Sequence, residues 1–175
     1  MNLALFLDRD GIFNELAPWE NGIWGAPRNR AELKFRPEIE GIEKAKALGF
    51  RLILVTNQPD VARGIIDKQF VEEINQHYAK KYQLDAVYVC FSADDADPMR
   101  KPNPGMFLKA AEDFDLDLSR CFHLGDTIKD VEAAKRCGVK SILWDHPYNQ
   151  RLSADFRIRS LTELFEVLSI SYHLS

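Results

Sequence analysis

Short, mostly apolar runs alternate along this chain with longer stretches whose apolar residues recur at helical spacing. The runs are Leu3–Leu7, Arg51–Val55, Ala86–Phe91, Cys121–Leu124, Val139–Trp144 and, more weakly, Phe156–Ile158. Each is brief, bounded by polar or glycine residues and apolar almost throughout, as parallel strands covered on both faces must be. Between them, Pro37 opens a predicted helix with Ile39, Ile42 and Ala45 on one face, and Gly49 closes it. Phe70, Val71, Ile74 and Tyr78 make a second stripe in a segment beginning near Asp67, and Pro104 opens a third with Phe107, Ala110, Ala111 and Phe114. A fourth helix runs from about Ile128 to Cys137 and stops at Gly138, and the last carries Leu161, Leu164, Phe165 and Leu168. Strands alternating with helices in this way predict an α/β fold, a three-layer sandwich around a mainly parallel sheet. At 175 residues the chain is expected to form one domain, residues 1–175, able to bury a core without staples. The stretch Leu16–Leu33, with Pro18, Gly22, Gly25 and Pro27, reads as one long irregular excursion.

Charge and cysteine usage narrow the partners. The chain has 23 basic and 27 acidic residues, net −4, and so no general attraction to nucleic acid or anionic membranes. No apolar run approaches the length of a membrane span. The first apolar run ends in DRD, without the basic region or small-residue cleavage site of a secretory signal. Cys90, Cys121 and Cys137 form no CxxC pair and leave one thiol over if two were bridged. That usage predicts a reducing, cytoplasmic setting.

In open α/β sheets ligands bind outside the carboxyl ends of the strands, so the residues following each run carry the chemistry. The first run delivers Asp8 and Asp10, from FLDRDG, and the second Thr56, Asn57 and Gln58, from ILVTNQ. The third leads through SADDADPM to Arg100 and Lys101, in RKPNPGM, and the fourth delivers Gly125, Asp126 and Asp130, from HLGDTIKD. Each piece alone has a plainer reading: DxDG as a surface turn, TNQ as a helix-capping turn, GD as an N-cap. DRDG is not an EF-hand loop, because its glycine comes too early and Trp19 stands where the bidentate glutamate belongs. The order of all four, each at its own strand end, singles them out. Carboxylates, a hydroxyl, an amide and a basic pair in one pocket are what a phosphoryl group and a divalent cation require.

DRDGIFNE, VTNQ, RKPNPGM and GDTIKD resemble, in that order, the four motifs of the haloacid dehalogenase-like phosphohydrolases, over residues 4 to about 165. FLDRDG, VTNQ followed by VARG, and RKP with PGM look like the branch of heptose 1,7-bisphosphate and histidinol-phosphate phosphatases. The resemblance implies a Rossmann-like sandwich without a large cap domain. It implies Asp8 as the nucleophile that becomes a phosphoaspartate, and Asp10 as the general acid and base. Thr56, the Asn57 amide and Lys101 would hold the transferring phosphoryl oxygens, and Arg100 would contact the rest of the substrate. Mg²⁺ would sit on the side chains of Asp8 and Asp126 and the backbone carbonyl of Asp10, with Asp130 orienting a metal-bound water. Gly11 would let the chain turn away sharply.

The departures from that pattern also carry expectations. Ile12 stands where the motif usually has threonine. Many members carry a Cys/His zinc loop before RKP; here the stretch is CFSADDADPM, with Cys90 alone, so no structural zinc is expected. His77, His123, His146 and His173 show no metal spacing and are expected to be structural or surface residues. Trp19 and Trp24, around Glu20, Asn21 and Gly22, serve either packing or a substrate wall. The implied protein is a monomeric, Mg²⁺-dependent phosphomonoesterase acting on a small phosphorylated metabolite. Heptose 1,7-bisphosphate is the first candidate and histidinol phosphate the second. A polynucleotide 3′-phosphatase is the further alternative, disfavoured by the charge and by the absence of a basic, aromatic-laced strip. A non-enzymatic binding module is disfavoured because every predicted catalytic group is present.

Overall fold

The apolar run Leu3–Leu7 (β1) lies at the centre of the sheet in the computed structural model, which describes residues 2–172. It pairs in parallel on one side with Phe50–Asn57 (β4), Leu3 opposite Phe50 and Leu7 opposite Leu54, and on the other with Phe122–Gly125 (β6). Ala86–Cys90 (β5) extends the sheet beyond β4, while Lys140–Trp144 (β7) and Phe156–Ile158 (β8) extend it beyond β6. The order is β5-β4-β1-β6-β7-β8 and every pairing is parallel.

Because side chains alternate across a strand, β1 feeds two cores. Leu5 and Leu7 join Leu52, Leu54, Phe122 and Leu124 on one face, against Ile39, Ile42, Ile74, Tyr78 and Leu164. Ala4 and Phe6 join Ile53 and Val55 on the other, against Met106, Phe107, Ala110, Ala133 and Ala134. The covering helices are Lys68–Lys81 (α2) and Leu161–Tyr172 (α5) on the first face, and Gly105–Phe114 (α3) and Ile128–Cys137 (α4) on the second. The largely apolar character of the central strands is thus accounted for by burial on both sides.

Helix ends follow the sequence signals. Asp67 caps α2, its Oδ1 accepting from the Gln69 N–H at 2.7 Å, and Gly138 ends α4 at φ 76°. The helix expected from Pro37 to Gly49 is instead two 3₁₀ segments, Pro37–Ile39 and Ile42–Leu48. Gly41, at φ 98°, lies between them and breaks the turn, while Ile39, Ile42 and Ala45 are buried as the stripe required. A four-residue helix, Pro59–Ala62 (α1), follows β4.

The excursion after β1 is not wholly irregular. It contains a small antiparallel pair, Ala17–Pro18 (β2) with Trp24–Gly25 (β3). This hairpin, with a 3₁₀ turn at Glu20–Gly22 in its loop, and the two later 3₁₀ segments make up the regular structure between β1 and β4, so no large cap domain is inserted there. Among the described residues, no helix is long and apolar enough to cross a membrane.

Candidate active site

The carboxyl ends of β1, β4 and β6 converge on one polar cavity of about 170 Å³, lined by Asp8, Asp10, Asn57, Arg100, Lys101 and Asp126 among others. Asp8 leaves β1 with its N–H still donating to the Leu124 carbonyl at 2.9 Å, which fixes the residue against β6. Lys101 enters from the loop before α3 and is almost fully buried. Its Nζ lies 2.9 Å from Asp8 Oδ1 and 2.6 Å from Asp130 Oδ1, and donates to the Val55 carbonyl at 2.9 Å. The Asn57 side chain holds the Lys101 backbone at both ends, donating to its carbonyl at 2.8 Å and accepting from its N–H at 3.0 Å. Asn57 therefore acts on the site through Lys101.

Asp130 is a buried hub. Its Oδ1 also meets His123 Nε2 at 3.0 Å, and its Oδ2 accepts from the Thr127 hydroxyl at 2.6 Å and from the N–H groups of Thr127 and Asp126 at 3.0 and 3.3 Å. Burial alone would raise its pKa. The Lys101 charge and the His123 hydrogen bond outweigh burial and hold this carboxyl well below the usual carboxylate range. Burial in turn lowers the pKa of the His123 imidazole. The other two carboxylates fare differently. Burial and repulsion from Asp130 push Asp8 up to about 7, despite the nearby Lys101. Burial, then repulsion from Asp130 and Asp8, raises Asp126 as well.

One ammonium among three close carboxylates leaves negative charge uncompensated. One oxygen from each of Asp8, Asp126 and Asp130 can be chosen so that all lie within 4.8 Å of one another. Asp126 Oδ1 is buried without a hydrogen-bond partner, while its Oδ2 accepts from the Tyr148 hydroxyl at 2.5 Å. Hard oxygens with excess charge and an orphaned buried acceptor suit a small divalent cation. With its oxygens already met by five donor groups, Asp130 is suited to orient the neighbouring groups.

Asp10 lines the same cavity, in a nest of donors. Arg9, fully buried although it lies between the two aspartates in sequence, reaches Asp10 Oδ1 at 3.0 Å. Asn14 Nδ2 donates to the same oxygen at 2.9 Å, and Gln58 Nε2 donates to Oδ2 at 2.8 Å. Gln58 Nε2 also reaches the buried Thr56 hydroxyl at 2.9 Å, tying the end of β4 to the end of β1. Asp8 and Asp10, two residues apart, therefore stand in separate environments, one against Lys101 and one against Arg9.

Gly11 makes that separation possible. It turns at φ 84°, and a Cβ there would lie 2.1 Å from Asp126 Oδ2. Ile12 points into the apolar core with no exposed surface, which accounts for an aliphatic residue at a position where a polar one was expected. The two tryptophans divide. Trp19 donates from its indole to the Ala26 carbonyl at 3.1 Å and lies beneath the Arg28 guanidinium, a packing role. Trp24 is 62% exposed and lines a wider groove of about 640 Å³ with Leu16, Arg36, His146 and Tyr148. Leu16 and Thr127 line both this groove and the reaction cavity.

The predicted residues Asp8, Asp10, Thr56, Asn57, Arg100, Lys101 and Asp126 all converge, with Asp130 beside them. The sequence reading assigned no role to Arg9, Gln58 or Tyr148. Of the histidines, His123 is buried and bonded to Asp130, and His146 stacks on Tyr148 with ring centroids 4.7 Å apart. His77 lies beside Phe35, and His173 lies outside the described residues. A polar His123 inside an otherwise apolar strand was the one available signal for its role.

A profile of haloacid dehalogenase-like hydrolases matches residues 19–138, more than half of the chain. The chain belongs to that family. Among its relatives are a D-glycero-D-manno-heptose-1,7-bisphosphate 7-phosphatase of Chlorobaculum tepidum and a D-glycero-beta-D-manno-heptose-1,7-bisphosphate 7-phosphatase of Photorhabdus laumondii. The first is 34% identical over 165 residues, covering 84% of this chain and 80% of that protein. The second is 32% identical over 180 residues, covering 92% of each. The fold also matches a crystal structure of D,D-heptose 1,7-bisphosphate phosphatase from B. bronchiseptica complexed with magnesium and phosphate. The TM-score is 0.79 at 24% identity, over 97% of this chain and 99% of that one.

Proposed function

We propose that this phosphatase removes one phosphoryl group from a sugar bisphosphate, heptose 1,7-bisphosphate before others, through a covalent intermediate on Asp8. The observation that carries the reading is the cavity itself, where half-buried Asp8 meets Lys101 and shares the lining with buried Asp126 and with Asp10. The side chains of Asp8 and Asp126 and the backbone carbonyl of Asp10 would hold Mg²⁺, which when bound neutralises charge on the phosphoryl oxygens.

The remaining chemistry belongs to the chain. An Asp8 carboxylate oxygen attacks phosphorus and the bond to the sugar oxygen breaks. Asp10 gives its proton to that departing oxygen, then takes one from the water that opens the phosphoaspartate, releasing phosphate and restoring both carboxyls. Lys101 and Thr56 hold the phosphoryl oxygens, Asn57 fixes Lys101, and Arg100 contacts the rest of the substrate. Asp130 locks Lys101 and the start of α4 in register.

Hydrolysis of an aryl phosphate that needs added Mg²⁺, stops with EDTA and vanishes in Asp8→Asn tests the chemistry. Comparing kcat/KM for heptose 1,7-bisphosphate, histidinol phosphate and a 3′-phosphorylated oligonucleotide tests the substrate. The names of the curated relatives favour the first. A higher value for either of the others overturns that choice.

A further inference from the structure

The loop between β5 and α3 carries three aspartates with different tasks. Asp94 Oδ1 accepts from the Ala96 N–H at 2.9 Å, and Asp97 Oδ1 accepts from the Met99 N–H at 2.8 Å. Both are local turn contacts. The carboxylate of Asp95 instead receives Arg100 Nε at 2.9 Å. The pair is lopsided: the Asp95 side chain is 83% exposed and the Arg100 side chain 5%. Arg100 has a second anchor in the Ser92 carbonyl, 3.2 Å from Nη1.

The cavity gives this pair a context. Arg100 lines it, and so does the exposed Lys129. The hydrogen bond and charge of Arg100, with the charge of Lys129, hold the Asp95 carboxyl below its usual range. Two cations at the rim of a phosphoryl site thus share one solvent-facing carboxylate. The loop backbone is pinned separately: Asn103 Nδ2 donates to the Asp95 and Asp97 carbonyls at 2.9 and 2.8 Å, and Asn103 Oδ1 accepts from Arg136 of α4. The Asp95 side chain can swing into water while its backbone stays.

We propose that Asp95 is a built-in stand-in for the second anionic group of the substrate, holding Arg100 until the distal phosphate of a sugar bisphosphate displaces it and engages Arg100 and Lys129. An exposed carboxylate is a weak competitor because water screens its pairing. A phosphate dianion takes a guanidinium through stronger, paired hydrogen bonds and displaces it. A sugar with only a hydroxyl at that end cannot, so Asp95 weakens the binding of bisphosphates alone and moderates the preference for them that Arg100 confers. The inference rests on the sugar-bisphosphate reading and adds to it the residue that tempers the selection.

The test is Asp95→Asn, an exposed change that leaves the backbone contacts intact. KM for heptose 1,7-bisphosphate is expected to fall roughly two- to fivefold, the scale of one exposed ion pair. KM for heptose 7-phosphate and kcat for both are expected to stay unchanged, and Asp95→Glu to behave like the parent. Equal shifts for both sugars, or no shift for either, overturn the inference. If the parent protein turns over no heptose bisphosphate, the substrate choice fails separately. Fructose 1,6-bisphosphate and fructose 6-phosphate, as competitors of aryl phosphate hydrolysis, then decide on Asp95. An unchanged ratio of their inhibition constants in Asp95→Asn overturns its role.

Discussion

Lys101 and Asp130 form a buried ion pair, Nζ to Oδ1 at 2.6 Å, with side chains only 3% and 2% exposed. The pair joins the loop before α3 to the first turn of α4 and holds the ammonium against Asp8. Removing one member of a buried pair strands the other, at about 3–5 kcal/mol. Lys101→Met should therefore lower stability by about 3 kcal/mol, roughly 6–12 °C in melting temperature for a chain of this size. Turnover of an aryl phosphate should fall by about a hundredfold or more in the same variant. A melting curve that does not move contradicts the keystone role.

Arg9, Asn14 and Gln58 fix the orientation of the Asp10 carboxyl, while Lys101 pairs with Asp8, which leaves the attacking role to Asp8. Asp10→Asn should slow alkyl phosphate hydrolysis by about 10²–10⁴-fold. An aryl phosphate with an acidic leaving group needs less protonation and should lose distinctly less. Equal losses across leaving groups would place Asp10 in some other step.

Tyr148 holds one oxygen of Asp126 and leaves the other buried oxygen without a partner. Supporting hydrogen bonds of this kind typically contribute 10–100-fold to metal affinity. Tyr148→Phe should raise the Mg²⁺ concentration for half-maximal activity by about tenfold, with little change in the rate at saturation. Isothermal titration with Mg²⁺ alone gives the same answer without turnover.

Gly11 has no room for a side chain, and its φ of 84° disfavours one in any case. Gly11→Ala must displace the Asp126 carboxylate or the turn. Activity should be lost by more than the stability cost of about 1–3 kcal/mol accounts for. A variant that is stable and fully active would show that the turn relaxes freely.

Asp145, at the end of β7, is bound by Arg159, Arg157 and Gln150, which together pull its carboxyl down to about 2. A carboxyl depressed in the folded state stabilises above its unfolded pKa, near 4, and the gain is lost as pH falls toward 2. Asp145→Asn should thus be less stable than the parent at pH 7, with the gap closing between pH 4 and 2. Urea midpoints at pH 7 and pH 2.5 measure it.

Much of this architecture is legible in the sequence for a physical reason. Strands buried on both faces are apolar at nearly every position, so runs such as LALFL and ILV mark themselves, and polar residues at their ends stand out. Local turn chemistry was harder to read. Gly41 looked like one residue within a helix, yet its positive φ splits the segment Pro37–Leu48 into two 3₁₀ pieces. Tyr148 carries no periodicity and meets Asp126 only because β7 lies beside β6. Arg9 was visible as the residue between two aspartates, but its pairing with Asp10 and Gln58 depends on the chain folding back over β4.

The missing cap has a bearing on where the phosphoryl group ends up. A roofed active site can keep water away long enough for another alcohol to capture an activated phosphoryl group. Here the regular structure inserted between β1 and β4 is a short hairpin and 3₁₀ turns, none of them a closing domain. Bulk water would outnumber any alternative acceptor at the proposed aspartyl phosphate. The openness of the fold thereby biases the second half-reaction toward hydrolysis and away from phosphotransfer.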